Sequence, residues 1–265
     1  MFKSVRENLA LVSELVRRDL RNRYASSVMG TFWSVGVPAL NALVLSAVFS
    51  VLMSGRMGAH YEGLPFALFY FAGFAPWMLF AEATARSAGL IVDNAAIVKR
   101  LRFPLEAFCI QVVVSSMIGH LVVLLVTVFL MFVYGLNSTL RLLALPLLIG
   151  LTLTLTLGVC FALSAVSVFL RDLTMLVPVG LNLMFFLTPI LYSPLMIDGA
   201  PRIARLIVLD LNPWHHIVEG YRWAMLSTPT LSMVGLAYAA ALAVAALFGG
   251  LALFQRLKRG FADVL

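Results

Sequence analysis

The residues in this chain that could do chemistry are few, and their spacing does not suit it. Nucleotide hydrolysis through a P-loop needs a glycine directly before the phosphate-binding lysine. The only lysines, Lys3, Lys99 and Lys258, follow Phe2, Val98 and Leu257. The histidines His60, His120, His215 and His216 include no pair at three- or four-residue spacing and have no cysteine beside them, so the usual helical metal pattern is missing. No G-x-S-x-G nucleophile elbow occurs either. His120 sits deep in a long apolar stretch, where an ionisable group is a functional candidate by position. A lone group cannot form a proton relay, and a neutral imidazole bonded to a neighbouring helix is the expected state. No catalytic residue, metal ligand or cofactor is therefore expected on this chain. Any work it does must be driven from elsewhere.

The elements that hold these residues are dictated by hydropathy. Of the 265 residues, 62% are hydrophobic and 12% charged, against about a quarter charged in soluble domains. Charge-free stretches run over 24–55, 63–81, 107–140, 142–170, 173–197 and 223–255. Each has the roughly 20 residues, or close to it, that a helix needs to cross the hydrocarbon core. None alternates as barrel strands do. The fold class expected is an all-α membrane protein of six transmembrane helices. With both termini in the cytoplasm, Arg56, Arg141, Arg202, Arg205 and Arg222 lie outside and the other Lys and Arg residues lie inside, as the positive-inside rule requires. That asymmetry, together with anionic membrane lipids as neighbours, accounts for the net charge of +7 without a nucleic-acid partner. Cys109 and Cys160 fall within spans, where a thiol serves as a small hydrophobe.

Ser4 and Glu7 have capping-box spacing, and Val5, Leu9, Val12, Val16 and Leu20 recur on one helical stripe. This predicts an amphipathic helix, either lying in the inner interface as a lever or simply anchoring the topology. Pro38, Pro76, Pro178 and Pro189 fall in or beside spans and can bend them. The small-residue pairs Ser115/Gly119 and Gly158/Ala162, and the series Gly235, Ala239 and Ala243, predict close helix approach. Between spans five and six, the apolar runs 203–209 and 214–218 flank Asn212-Pro213 and are too short to cross. They read equally well as two short re-entrant helices or as an amphipathic external loop. Glu219 and Arg222 lie three apart and can pair on a helix; an exposed pair of this kind contributes under about 1 kcal/mol. Trp33, Trp77, Trp214 and Trp223 are expected in the interfacial aromatic belts. Tyr70, Phe185, Phe186 and Tyr192 are candidates to line a sugar pathway, since aromatic faces accept the C–H faces of pyranose rings without fixing one geometry; helix packing is the other reading.

Several segments, in this order, resemble the permease subunits of bacterial ABC polysaccharide exporters. They are Arg18-Asp19-Leu20, Arg23-Tyr24, Val28-Met29-Gly30, Trp33, Pro38, Gly73-Phe74-Ala75-Pro76-Trp77, Phe103-Pro104-Leu105-Glu106, Phe169-Leu170-Arg171-Asp172, the run from Phe186 to Tyr192, and Asn212-Pro213. The O-antigen exporters are most similar, with capsular and teichoic acid exporters close behind. The resemblance implies an interface helix over 1–30, a six-helix transmembrane domain over 31–258 and a cytoplasmic tail over 259–265. It further implies a bacterial inner-membrane homodimer with two cytoplasmic ATPase subunits that carry the ATP and Mg, and a lipid-linked polysaccharide as cargo. Coupling to the ATPase would fall on Asp93, Asn94, Lys99 and Arg100, with a second contact at Arg171 and Asp172. An external gate would fall on Asn212, Pro213, His216, Glu219 and Arg222. Two other readings stay open: export of a small amphipathic molecule by the same architecture, and a membrane scaffold that transports nothing.

Overall fold

A computed structural model describes residues 2–24, 63–100, 104–136, 140–197 and 199–265, with Tyr61 and isolated helical positions between 36 and 52. The first apolar stretch, with Trp33 and Pro38, lies largely outside the described residues. The described chain is helical and contains no strand: it is an all-α membrane protein.

The amphipathic segment forms α1 (Phe2–Tyr24). Helix α2 (Phe66–Ser87) follows an extended Pro65 and carries Pro76 within it. A short elbow, α3 (Leu90–Asp93) and α4 (Ala95–Arg100), leads to α5 (Glu106–Val133). A 3-10 turn at Arg141–Ala144 opens α6 (Leu145–Val166), with Pro146 in the first turn, where its missing N–H costs nothing. Helix α7 (Leu173–Leu187) is shorter than its 25-residue apolar stretch. Thr188, restricted to an extended backbone by Pro189, ends it at φ −88°, ψ 132°. Next come α8 (Arg202–Arg205), which continues into a π-helical turn over Leu206–Asp210, and α9 (Pro213–Leu226). Helix α10 (Met233–Leu257), capped by Ser232, and α11 (Phe261–Val264) complete the chain. Trp223–Leu226 thus belongs to α9, not to the last span.

Helices α2, α5, α6 and α10 are long and apolar enough to cross a bilayer. Helix α2 lies at the centre, with Leu68, Phe69, Tyr70, Ala72 and Ala75 almost wholly buried. Helices α6 and α10 meet backbone to backbone: a Cβ on Gly158 would collide with the main chain at Ala246 and Leu247, and one on Gly250 with the carbonyl of Gly158. The predicted small-residue contact at Gly158 is present, and so is that at Gly119, which receives Met78. The interior divides into two apolar clusters. One runs from Tyr61 and α2 to α9, and the other joins the ends of α2, α5 and α6 nearest α11 to Phe254 and Phe261.

Candidate functional site

The charged residues of the described chain gather at the two ends of the bundle. At the end holding the termini, α1 packs along α5, with Leu15, Arg18 and Asp19 facing Arg86 of α2 and the α3–α4 elbow. Asp19 accepts a 2.6 Å charge-assisted bond from Arg86 Nη2, and Glu82 stands 3.9 Å from Arg86 Nη1. Around this pair a cavity of about 320 Å³ is bounded by Arg18, Asp93, Asn94, Ile97 and Gln111, among others. The Asn94 side-chain amide donates to Leu90 O (2.8 Å) and so closes the turn between α3 and α4. Asp93 is exposed. Lys99 and Arg100 finish α4, but their side chains lie outside the described residues. Lys258 donates to Glu106 and ties the end of α10 to the start of α5. Arg171 and Asp172 are exposed where α7 begins; Asp172 occupies the N-cap position without capping through its side chain. The elbow and the α6–α7 turn thus present exposed groups at the bundle end that carries α1 and α11.

The opposite end is built around α9. Asn212 caps it, accepting from Trp214 N (3.0 Å) while its amide donates to Thr188 Oγ1 (3.1 Å), and Pro213 occupies the first helical position. Trp214 packs on Phe80 and Trp77 of α2, with ring centroids 4.3 and 5.7 Å apart, and eight residues later Arg222 reaches Phe69. Since Phe69 and Trp77 are eight residues apart on α2, α9 starts about 12 Å deeper in the bundle than the level Arg222 occupies. That is the geometry of a re-entrant helix. The expectation that Trp77 and Trp214 belong to an interfacial belt is overturned: they are 4% and 1% exposed, because α9 folds back onto α2.

The Glu219–Arg222 pair departs most from its reading in sequence. It is not exposed: Arg222 is fully buried and Glu219 is 3% exposed. Arg222 Nη1 donates to Glu219 Oε1 (2.8 Å) and Pro189 O (2.7 Å), Nη2 to Ile190 O (2.9 Å) and Nε to Phe69 O (3.3 Å), with the guanidinium 3.5 Å from the Phe69 ring centroid. The other carboxylate oxygen of Glu219 accepts from Tyr61 Oη (2.7 Å) and Thr230 Oγ1. Burial pushes the Glu219 carboxyl up, but Arg222, Thr230 and His215 outweigh it and hold it below the usual carboxylate range. One guanidinium thus holds three elements together: α9, the segment after α7, and α2. Gly73 makes room for it, since a Cβ there would stand 2.9 Å from Nη2. Tyr61 and Thr230 cannot be found from spacing, as they lie 158 and 11 residues from Glu219. His216 faces away from this centre, with Nε2 3.2 Å from Asp210 O and its ring over Gly235 and against Tyr238.

Between the ends, Tyr70, Phe74, Trp77, Asn182 and Phe185 line a largely aromatic slot of about 350 Å³ between α2 and α7. Tyr70 stacks on Phe74 at 5.1 Å and Phe185 meets Trp77 at 5.9 Å. Of the four aromatic candidates, two therefore share this slot. Phe186 points outward at 59% exposure, while the Tyr192 hydroxyl donates to Phe186 O (3.1 Å) and closes the end of α7. His120 is packed and bonded to a neighbouring helix, with Nδ1 2.8 Å from Ala75 O and Nε2 3.4 Å from Tyr221 Oη.

Known proteins similar to this chain align with most of its length. It is 30% identical over 254 residues to an O-antigen export system permease protein, RfbA, of Myxococcus xanthus, covering 96% of this chain and 94% of that one. A protein of the same name from Klebsiella pneumoniae is 29% identical, with 96% and 95% covered, and the polysialic acid transport protein KpsM of Escherichia coli is 24% identical over 92% of each. The profile of the ABC-2 type transporter family matches residues 10–226, which takes in the α3–α4 elbow, the aromatic slot and all of α9. This multi-pass membrane protein belongs to the ABC-2 type transporter family.

Proposed function

We propose that this chain is the permease subunit of an ATP-driven exporter of lipid-linked polysaccharide, O-antigen first and capsular polysaccharide or teichoic acid next. The observation that carries the reading is the end-to-end similarity to permeases named for O-antigen export. The geometry supports it, because the exposed elbow and the buried α9 clamp sit at opposite ends of one helical bundle. In this reading the subunit lies in the bacterial inner membrane with both termini in the cytoplasm. It pairs with a second copy and is driven by two ATPase subunits that carry the ATP and Mg. It performs no hydrolysis of its own.

The ATPase engages the elbow at Asp93, Asn94, Lys99 and Arg100 and the turn at Arg171 and Asp172. Short helices held by backbone and apolar contacts can pass a rigid-body push into α2 and α5. At the far end α9, with Asn212, Pro213, His216, Glu219 and Arg222, closes the path. Phe185 offers a stacking face to a passing glycan, with Tyr70 packed behind it in the slot.

The test is co-reconstitution with the cognate ATPase and a labelled lipid-linked glycan. ATP-dependent translocation is expected, with at least a tenfold loss in the Asp93→Ala/Arg100→Ala double variant while the complex stays assembled. Full transport by the double variant would refute the coupling assignment. ATP hydrolysis by the isolated subunit, or no affinity for an ATPase, would refute the function.

A further inference from the structure

Helices α6 and α10 touch at Gly158, Ala246 and Gly250 and then diverge toward Leu147 and Met233, leaving an open groove of about 570 Å³. Its walls are apolar, with Leu147, Leu151, Ala237, Ala240 and Val244 among them, and its one hydroxyl, on Thr154, is already bonded to Gly150 O. Beneath the groove, Leu148 and Leu236 press on Gly220 of α9, where a Cβ would stand 2.8 Å from Leu148 Cδ2. One turn along the same face of α9, Trp223 carries the guanidinium of Arg141 at 5.2 Å from its ring centroid. Arg141 Nη1 is buried and has no hydrogen-bond partner among the described residues. Arg141 stands five positions before Pro146 at the groove mouth, about 8 Å along the axis.

We propose that this groove holds one acyl chain of an anionic glycerophospholipid from the surrounding bilayer, with the lipid phosphate received by Arg141. Both walls are membrane-spanning helices, and Leu147 and Val244 are 72% and 49% exposed, so the occupant comes from lipid and not from water. The walls are apolar along the groove, so it suits a linear hydrocarbon chain and not a polar occupant. Arg141, about 8 Å along the axis from Pro146 at the mouth, supplies charge complementarity to a phosphate, and a guanidinium suits phosphate geometry. An occupant braced on Leu148 and Leu236 also holds them against Gly220, so it steadies α9 from the side opposite the Arg222 clamp.

The experiment uses the full-length chain in nanodiscs of phosphatidylethanolamine and phosphatidylglycerol, doped with phosphatidylglycerol carrying a diazirine in one acyl chain. It needs no transport activity, so its outcome is independent of the function proposed above. Crosslinks are expected to concentrate on 147–154 and 233–244 and to fall at least fivefold in Ala240→Trp and in the milder Ala237→Leu, both checked for monodispersity. Arg141→Gln is expected to lower the preference for diazirine-labelled phosphatidylglycerol over phosphatidylethanolamine carrying the same label by on the order of tenfold, the scale of one charge-assisted bond. Groove labelling no stronger than that of the exposed Leu176–Leu183 face of α7 would overturn the site. So would labelling unchanged by both filling variants, or a headgroup preference that Arg141→Gln leaves intact.

Discussion

Replacing Arg222 with alanine is the sharpest test of how α9 is held. The guanidinium makes four hydrogen bonds of 2.7–3.3 Å from a fully buried position. Its loss strands the Glu219 carboxylate beside Tyr61 and Thr230 and leaves the carbonyls of Pro189 and Ile190 without this donor. Removing one partner of a buried ion pair costs about 3–5 kcal/mol, far above the roughly 1 kcal/mol of an exposed pair. At about 2–4 °C per kcal/mol for a chain of this size, the Tm of the purified protein should fall on the order of 10 °C. Lysine cannot reach carbonyls on both sides of a planar fork, so Arg222→Lys should recover little. The double variant Arg222→Leu/Glu219→Leu removes the stranded charge and should be less destabilised than Arg222→Ala, which a double-mutant cycle measures. A Tm within about 2 °C of the parent for Arg222→Ala, or full rescue by lysine, would refute the clamp.

Other consequences can be measured. Gly158→Leu drives a side chain into the α10 backbone at Ala246 and should cost about 3 kcal/mol or more by thermal unfolding, whereas the exposed Gly150→Leu should cost little. Asp19→Asn breaks a part-buried pair but leaves Arg86 beside Glu82, so its effect on Tm should be well below that of Arg222→Ala even if it frees α1 to limited proteolysis. In the reconstituted exporter, Tyr70→Ala and Phe185→Ala should slow glycan translocation several-fold, with ATP hydrolysis retained.

Much of this protein can be read from local composition. Whether a segment crosses lipid depends on the transfer free energy of its own 20 or so residues, so the spans of α2, α5, α6 and α10 are legible without any knowledge of what they touch. The missing P-loop glycine and the absence of paired metal ligands are equally local, and so are the Asn212-Pro213 start of α9 and the glycine contact at Gly158. Partners distant in sequence are another matter. Arg222 and Glu219 look like a surface pair at i, i+3; only the return of α9 onto α2 removes them from water and brings Tyr61, Phe69, Pro189 and Ile190 to them across 32 to 158 residues. The same return takes Trp77 and Trp214 from the expected interface into the core, while the packing of α7 on α2 brings Tyr70 and Phe185 to one slot and leaves Phe186 outside it. Hydropathy is a property of each segment by itself. The depth at which a short helix re-enters, and hence the cost and strength of every charge it carries, is set by the packing of helices far apart in the chain.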